Sequence, residues 1–339
     1  MSIASDKKRI REIINDFIAF NNINPHYLQF DKKLSNLEEK FIRWISCIEE
    51  QDEDVFLELF RKLKYYNRIE VINTLETLYK DFKLRETTFP NSVFLPVSSF
   101  GGIANGAISL LDCFREAVQD EAEVSKKRIA PQPRDFFHEF DITTVQNLVL
   151  IDDVIGSGDT LINFLIRLEL NCPELIEGRK IYIFSLINLQ KGIDNVLAFA
   201  KDNGLDLKFV NESVIEKAFS NQATFPTEKS SIEGKRIVRK YEKRISSNSI
   251  YVMGYKRSEA LVSFFFNTPN NTLTTFWEND ENKNWFSVFP RDKSEDTFEL
   301  KENNSLAEIK RFKKLRELTN YSIIKLIRME KQRRTNDGI

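Results

Sequence analysis

Apolar residues recur at helical spacing through the first eighty-five positions, then change near Ser92 to short unbroken runs separated by helical stripes. Ile10, Ile13, Ile14, Phe17 and Ile18 form the first stripe. Ser35-Asn36-Leu37-Glu38 reads as a capping box that opens a second helix through Phe41, Ile42, Trp44 and Ile45. Val55, Leu57, Leu59, Phe60 and Leu63 mark a third, and Ile69, Val71, Ile72, Leu75, Leu78 and Tyr79 a fourth. The acidic stretch from Glu49 to Asp54 falls between helices and is expected to be a solvated connector.

Beyond Ser92 the runs Val93 to Val97, Leu148 to Ile151, Ile181 to Ile187 and Leu205 to Val210 read as strands buried on both faces. Helical stretches at Ile103 to Ala117, Leu161 to Leu168 and Val196 to Ala200 alternate with them. Alternation of this kind predicts an α/β fold: a doubly wound parallel sheet, with ligands at its carboxyl edge, an N-terminal helical bundle and a long C-terminal helix. The last helix is opened by a second capping box, Ser305-Leu306-Ala307-Glu308. Ile250 to Tyr255 and Leu261 to Phe266 are two further strand candidates, and residues 211–248 read as an insertion with a basic run from Lys235 to Arg244. The domain boundaries expected from this pattern are 1–88 for the helical region, 89–292 for the α/β domain and 293–339 for the basic helix.

The most informative stretch is 148–160. Four apolar residues lead to Asp152 and Asp153, then Ile155, Gly156, Ser157, Gly158, Asp159 and Thr160 connect to an apolar helix. Glycines let backbone N–H groups approach an anion, hydroxyls add donors, and the helix amino end carries partial positive charge. Two carboxylates repel a phosphate, so a ligand that suits both halves has a phosphate at one end and hydroxyls or a metal-bound group at the other. A ribose 5-phosphate fits. The plainer alternative, a strand-to-helix turn with Asp159 as N-cap, accounts for Asp159 and Thr160 but not for the glycines and the acidic pair together.

This stretch resembles the signature of the type I phosphoribosyltransferases. The resemblance implies that Asp152 and Asp153 bind the ribose 2′- and 3′-hydroxyls of phosphoribosyl pyrophosphate and that Ile155 to Thr160 hold its 5′-phosphate. It implies a pyrophosphate loop at Ser98, Ser99, Phe100, Gly101 and Gly102, where an ordinary strand-to-helix turn is an equal alternative. A closing loop is implied at Lys126, Lys127 and Arg128, with a solvent-exposed linker as the alternative. Mg²⁺ would enter with the pyrophosphate, so Asp152 and Asp153 would meet the metal only through the ligand. Asn267-Thr268-Pro269-Asn270-Asn271-Thr272-Leu273, followed by Phe276-Trp277 and Phe289-Pro290-Arg291, is similar to the C-terminal signature of a phosphoribosyltransferase-like family of prokaryotic conflict systems, including antiphage operons and some retrons. In that segment Asn270 and Asn271 have the chemistry to bond a base edge and Phe276 and Trp277 to stack on it. A turn at Pro269 followed by buried core aromatics is the competing reading.

Composition narrows the chemistry. His26 and His138 are the only histidines, which excludes within one chain a His-Glu-x-x-His helix or a two-histidine iron site. Cys47, Cys113 and Cys172 have neither Cys-x-x-Cys spacing nor an even count, so a disulfide framework or zinc site is not indicated. No run of about 20 apolar residues occurs, and no apolar signal core follows the N-terminus, so a cytoplasmic protein with no membrane partner is expected. The net charge is −1, which makes the excess of Lys310, Arg311, Lys313, Lys314, Arg316, Lys325, Arg328, Lys331, Arg333 and Arg334 a local patch, a candidate contact for nucleic acid or operon-encoded partner proteins. Two functions remain open: a defence effector using phosphoribosyl pyrophosphate or attacking at the ribose C1 position, and an inactive nucleotide-sensing scaffold.

Overall fold

The protein is described here from a computed structural model, covering residues 3, 6–97, 106–121, 124, 126–139, 141–211, 214–220, 224–246, 248–292 and 303–336. In chain order its main elements are α1 (Lys7–Phe20), α2 (Leu37–Ile45), α3 (Glu53–Lys62), β1 (Lys64–Tyr66), α4 (Arg68–Arg85), β2 (Ser92–Pro96), α5 (Gly106–Ala117), α6 (Phe136–Glu139), β3 (Asn147–Ile155), α7 (Asp159–Asn171), β4 (Lys180–Asn188), α8 (Gln190–Asp202), β5 (Asp206–Phe209), α9 (Glu228–Ile245), β6 (Val262–Phe264), α10 (Asn303–Glu317) and α11 (Ile323–Asn336). None of the described helices is long and apolar enough to cross a membrane.

The chain divides into two compact units, 1–70 with 215–292, and 71–214 with 293–339. The division differs from the boundaries expected at 88 and 292: the N-terminal helices share a core with residues 218–289, and 293–339 belongs with 71–214. In that first unit Phe17, Phe41, Trp44, Phe56 and Phe60 pack with Tyr241, Phe276, Trp285 and Phe289. Burying aromatics of this size is what makes short helices α1 to α3 stable, since isolated helices of such length are marginal in water. β1 pairs in parallel with β6, from Lys64 opposite Val262 to Tyr66 opposite Phe264.

Several local expectations fail in this unit for identifiable reasons. The N-cap of α2 is Asn36 in the left-handed region, without a side-chain cap, so the Ser35 to Glu38 capping box does not form; Ser35 Oγ donates to Lys32 O instead. The acidic stretch is a solvated connector only in part: Glu49 to Gln51 and Asp54 are exposed, but Asp52 and Glu53 are buried, Asp52 accepting from the Tyr241 hydroxyl and Glu53 from Ile3 N–H. Residues 249–257 form two 3₁₀ turns and not a strand. Residues 211–248 are not an insertion in the sheet domain; α9 belongs to the first unit, where Lys235 pairs with Glu259 and Lys240 with Glu49.

The second unit is built on a four-stranded parallel sheet in the order β2-β3-β4-β5. Ile129 adds an isolated parallel bridge to Phe94 on the outer side of β2. The chain therefore moves outward from β2 through α5 and returns past β2 to β3, after which α7 and α8 carry it the other way. Side-chain alternation separates the layers. Phe94, Tyr182 and Phe184 meet Tyr79 and Phe82 of α4 and Phe114 of α5 on one face, while Val93, Leu95, Leu148, Leu150, Ile181 and Ile183 pack with Leu161, Phe164, Leu165, Ile193 and Val196 of α7 and α8 on the other. The sheet is doubly wound, as the alternating pattern implied, and its direction of winding reverses between β2 and β3.

The basic C-terminal segment is not one long helix. α10 and α11 fold back on each other and contact α7, burying Ile309, Phe312, Ile323, Ile324 and Ile327 in the same cluster. A straight helix over this span would exceed roughly 50 Å, far longer than α7, so the chain can bury both apolar stretches there only by turning.

Candidate functional site

β3 is longer than its apolar run. It extends to Ile155, so Asp152 and Asp153 lie inside the strand, with Asp152 in register with Ser185 of β4. β2 stops at Pro96, and Val97 N–H donates to Ile151 O; from Asp152 onward β3 faces the point where the winding reverses, the place where open α/β sheets bind ligands.

The strand is irregular at the acidic pair. Ile151 O accepts from Val97, on the β2 side, whereas Ile155 O accepts from Leu189, on the β4 side, although residues four apart in a regular strand point to the same neighbour. Side chains show the same slip: Leu148, Leu150 and Ile155 all belong to the α7/α8 face. Between them Asp153 N–H donates to Asp152 Oδ1 at 3.0 Å and Val154 N–H to Asp153 Oδ1 at 2.7 Å. The carboxylates thus take backbone donors that a regular ladder would use. Burial, and then the adjacent Asp153 charge, push the Asp152 carboxyl well above the usual carboxylate range.

The loop that follows is buttressed, and the source of the support was not legible in the sequence. Gly158 is the N-cap of α7, with φ of 81°, so Asp159 is the first helical residue and not the cap. The Ser157 hydroxyl donates to the Asp159 carboxylate, while Thr160 is exposed. Gly156 and Gly158 are buried because α8 lies directly against them. A Cβ on Gly192 would stand 2.6 Å from both Ile155 O and Gly156 O, and one on Gly158 would stand 2.9 Å from Val196 Cγ2 and 3.0 Å from Gly192 O. Leu189 N–H donates to Ile155 O at 2.9 Å, and the Asn195 side-chain amide donates to Ser157 O at 2.9 Å. The available signal was Gly192 itself, a glycine inside a helix, which marks close backbone approach.

The other sequence-derived candidates fall elsewhere. The stretch Ser98, Ser99, Phe100, Gly101 and Gly102 lies outside the described residues. Lys126, Lys127 and Arg128 form a 3₁₀ turn at the amino edge of the sheet, where Arg128 reaches Ser92 O at 3.5 Å and Lys127 pairs with Glu139 at 3.0 Å. Ser92 is in register with Asn147, so five residues of strand, roughly 16 Å at 3.3 Å per residue, separate that edge from Asp152. A closing role for this turn does not fit that placement.

Phe276 and Trp277 are core residues of the first unit, with 0% and 3% exposure. Phe276 packs 5.1 Å from Trp44, and the Trp277 indole N–H donates to Thr272 O. Neither ring has a free face for a base, and the turn at Pro269, closed by Thr272 N–H to Pro269 O, matches the competing reading. Asn270 and Asn271 act through their carbonyls: Asn270 O accepts from Tyr255 N–H, and Asn271 O from Ala260 N–H and the Ser258 hydroxyl. They grip a turn in which Met253, Lys256, Arg257 and Glu259 all have positive φ.

Of the basic C-terminal residues, Arg311 and Arg334 pair with Glu330, Arg316 with Asp202, and Arg328 with the buried Glu169. Arg311 thereby joins α10 to α11, Arg316 joins α10 to α8 and Arg328 joins α11 to α7, whereas Arg334 pairs within α11. Among the described residues no three His, Cys, Asp or Glu side chains gather to cage a metal, and a magnesium ion at Asp152 and Asp153 would have to be held largely by ligand oxygens.

No curated protein and no solved structure matches the chain. The PRTase-CE family model matches residues 41–291, beginning in α2 and ending before α10. That match covers well over half of the chain and contains the acidic pair, the buttressed loop and the doubly wound sheet, and the chain belongs to PRTase-CE, a phosphoribosyltransferase-like family.

Proposed function

We propose that the site from Asp152 to Thr160 binds phosphoribosyl pyrophosphate or a related nucleotide, and that the protein is an effector of a prokaryotic antiviral defence system acting at the ribose C1 position. The observation that carries the proposal is the acidic pair at the winding reversal, followed at once by a short glycine-containing loop that opens α7. Asp152 and Asp153 would recognise the 2′- and 3′-hydroxyls, and Ile155 to Thr160 the 5′-phosphate. Magnesium would arrive on the pyrophosphate and neutralise its charge as it leaves. The defence assignment is supported by the resemblance of Asn267 to Leu273 and the aromatic residues after it to conflict-system proteins.

Calorimetry with phosphoribosyl pyrophosphate and Mg²⁺ tests the binding. The wild-type chain is expected to bind, and the Asp152→Asn, Asp153→Asn double variant to lose binding while remaining folded. Unchanged affinity in the double variant would refute the ribose assignment.

One observation favours the second reading, an inactive nucleotide-sensing scaffold that assembles with nucleic acid and partner proteins. Burial and the adjacent Asp153 charge raise the Asp152 carboxyl above the usual carboxylate range, an environment that disfavours two full charges side by side and suits hydroxyl recognition better than stabilisation of a cationic transition state at C1. Pyrophosphate release separates the two. The effector releases it, is toxic on expression, and loses both properties on Asp153→Asn; the scaffold binds without release.

A further inference from the structure

The phosphate loop owes its shape to α8. Ile155 O is taken by Leu189 N–H and Ser157 O by the Asn195 amide, each at 2.9 Å. Both peptides are trans, and across a trans peptide the N–H points away from the C=O. The Gly156 and Gly158 N–H groups are therefore turned away from the β4–α8 side, toward the side on which β2 has already ended. Gly192 fixes the distance: with Ile155 O and Gly156 O each 2.6 Å from where its Cβ would be, the loop rests directly on the α8 backbone.

We propose that Asn195 is a positioning residue, which by holding the Ser157 carbonyl aims the Gly158 amide at a bound 5′-phosphate, while Leu189 does the same for Gly156 through its backbone. This rests on reading 156–160 as the phosphate loop. Asn195 is exposed, so it contributes little to the core and is open to substitution, and its bond to Ser157 O, unlike that of Leu189 to Ile155 O, depends on a side chain. Two amides aimed at one point form an anion nest. Losing one clamp frees the Ser157–Gly158 peptide to rotate and leaves the other amide in place.

The test uses the full chain with ¹⁵N-glycine, whose 11 glycines give a spectrum sparse enough to follow residues 156 and 158, titrated in turn with inorganic phosphate and with phosphoribosyl pyrophosphate plus Mg²⁺. In the wild type both amides are expected to shift on binding. In Asn195→Ala the Gly158 response should collapse while that of Gly156 persists, and affinity should fall about threefold to tenfold, the range of one ordinary hydrogen bond. Asn195→Asp, which lacks the donor, should be weaker still. A Gly158 response in Asn195→Ala equal to that of the wild type would overturn the proposal, as would a wild type in which neither amide responds to either probe. If phosphate moves both amides and phosphoribosyl pyrophosphate binds no better than phosphate, the nest stands and the ribose reading fails.

Discussion

Substituting Gly158 by alanine should separate two costs that coincide at this position. The first is conformational: φ is 81°, and an L side chain in the left-handed region costs about 1–2 kcal/mol. The second is steric, because the new methyl would lie 2.9 Å from Val196 Cγ2, a fully buried side chain, and 3.0 Å from Gly192 O, a helix backbone atom. Neither neighbour is a flexible chain end, and overpacking of this kind costs about 1–3 kcal/mol. The sum, roughly 2–5 kcal/mol, is a sizeable fraction of the roughly 5–15 kcal/mol that a domain has in total, and at about 2–4 °C per kcal/mol it corresponds to a drop of roughly 4–20 °C. Gly178 is the control, since its φ is 68° and nothing lies within 4 Å of its Cβ position; alanine there incurs only the first cost. Thermal unfolding by circular dichroism, with calorimetric titration of phosphoribosyl pyrophosphate, reads both consequences. Gly158→Ala is expected to be clearly less stable than Gly178→Ala and to bind weakly, whereas Gly178→Ala binds normally. Equal destabilisation by the two variants would refute the packing of α8 against the loop.

Burial pushes the Glu242 carboxyl up to about 8, against hydrogen bonds from the Thr275 and Met253 backbone amides, from an ordinary value of 4.5. The folded chain keeps a proton there that the unfolded chain releases, so stability should fall as pH rises from 4.5 to about 8 and level off above; urea midpoints across a pH series should show the slope in the wild type and its loss in Glu242→Gln. Glu86 behaves oppositely: burial would raise it, but hydrogen bonds from Thr88, Tyr182 and Lys180 hold it at about 2. Its contribution is present above 4.5 and lost as pH falls toward about 2, and Glu86→Gln should remove that part of the acid sensitivity in acid-unfolding curves. Arg328→Ala would strand the Glu169 carboxylate, whose side chain is 1% exposed, at a cost of about 3–5 kcal/mol; faster proteolysis between 303 and 336 is the expected signature, and unchanged protection would show that the pair does not fasten the hairpin.

The acidic pair and its loop were legible because their signal is local. A strand buried on both faces has to be an unbroken apolar run, and a loop that meets a helix end has to be small, so Leu148 to Thr160 displays both in one window. The residues that shape the loop were not legible: Leu189, Gly192 and Asn195 act through backbone carbonyls, and such contacts leave no pattern beyond one glycine in a helix. Lys126 to Arg128 failed for a topological reason. Their charge suits a closing loop, but the single bridge between Ile129 and Phe94 sets which edge of the sheet they occupy, and one bridged residue has no periodicity to read.

The discontinuous first unit shows the same limit on a larger scale. Each of its parts is a plausible appendage when read alone: an amphipathic bundle at one end, and a basic helix with aromatic turns near the other. What joins them is a set of contacts between residues well over two hundred positions apart, such as the Trp44 indole N–H donating to Thr275 O and Phe17 lying 5.7 Å from Phe289. Hydrophobic periodicity reports that a face is buried but not against what. The family match supplies what periodicity lacks, for it begins at residue 41 and ends at 291, a span that holds Trp44 together with Thr275 and Phe60 together with Phe289. Phe276 and Trp277, open to a ligand-binding reading from sequence, are therefore better understood as the far half of a core whose near half begins with α1.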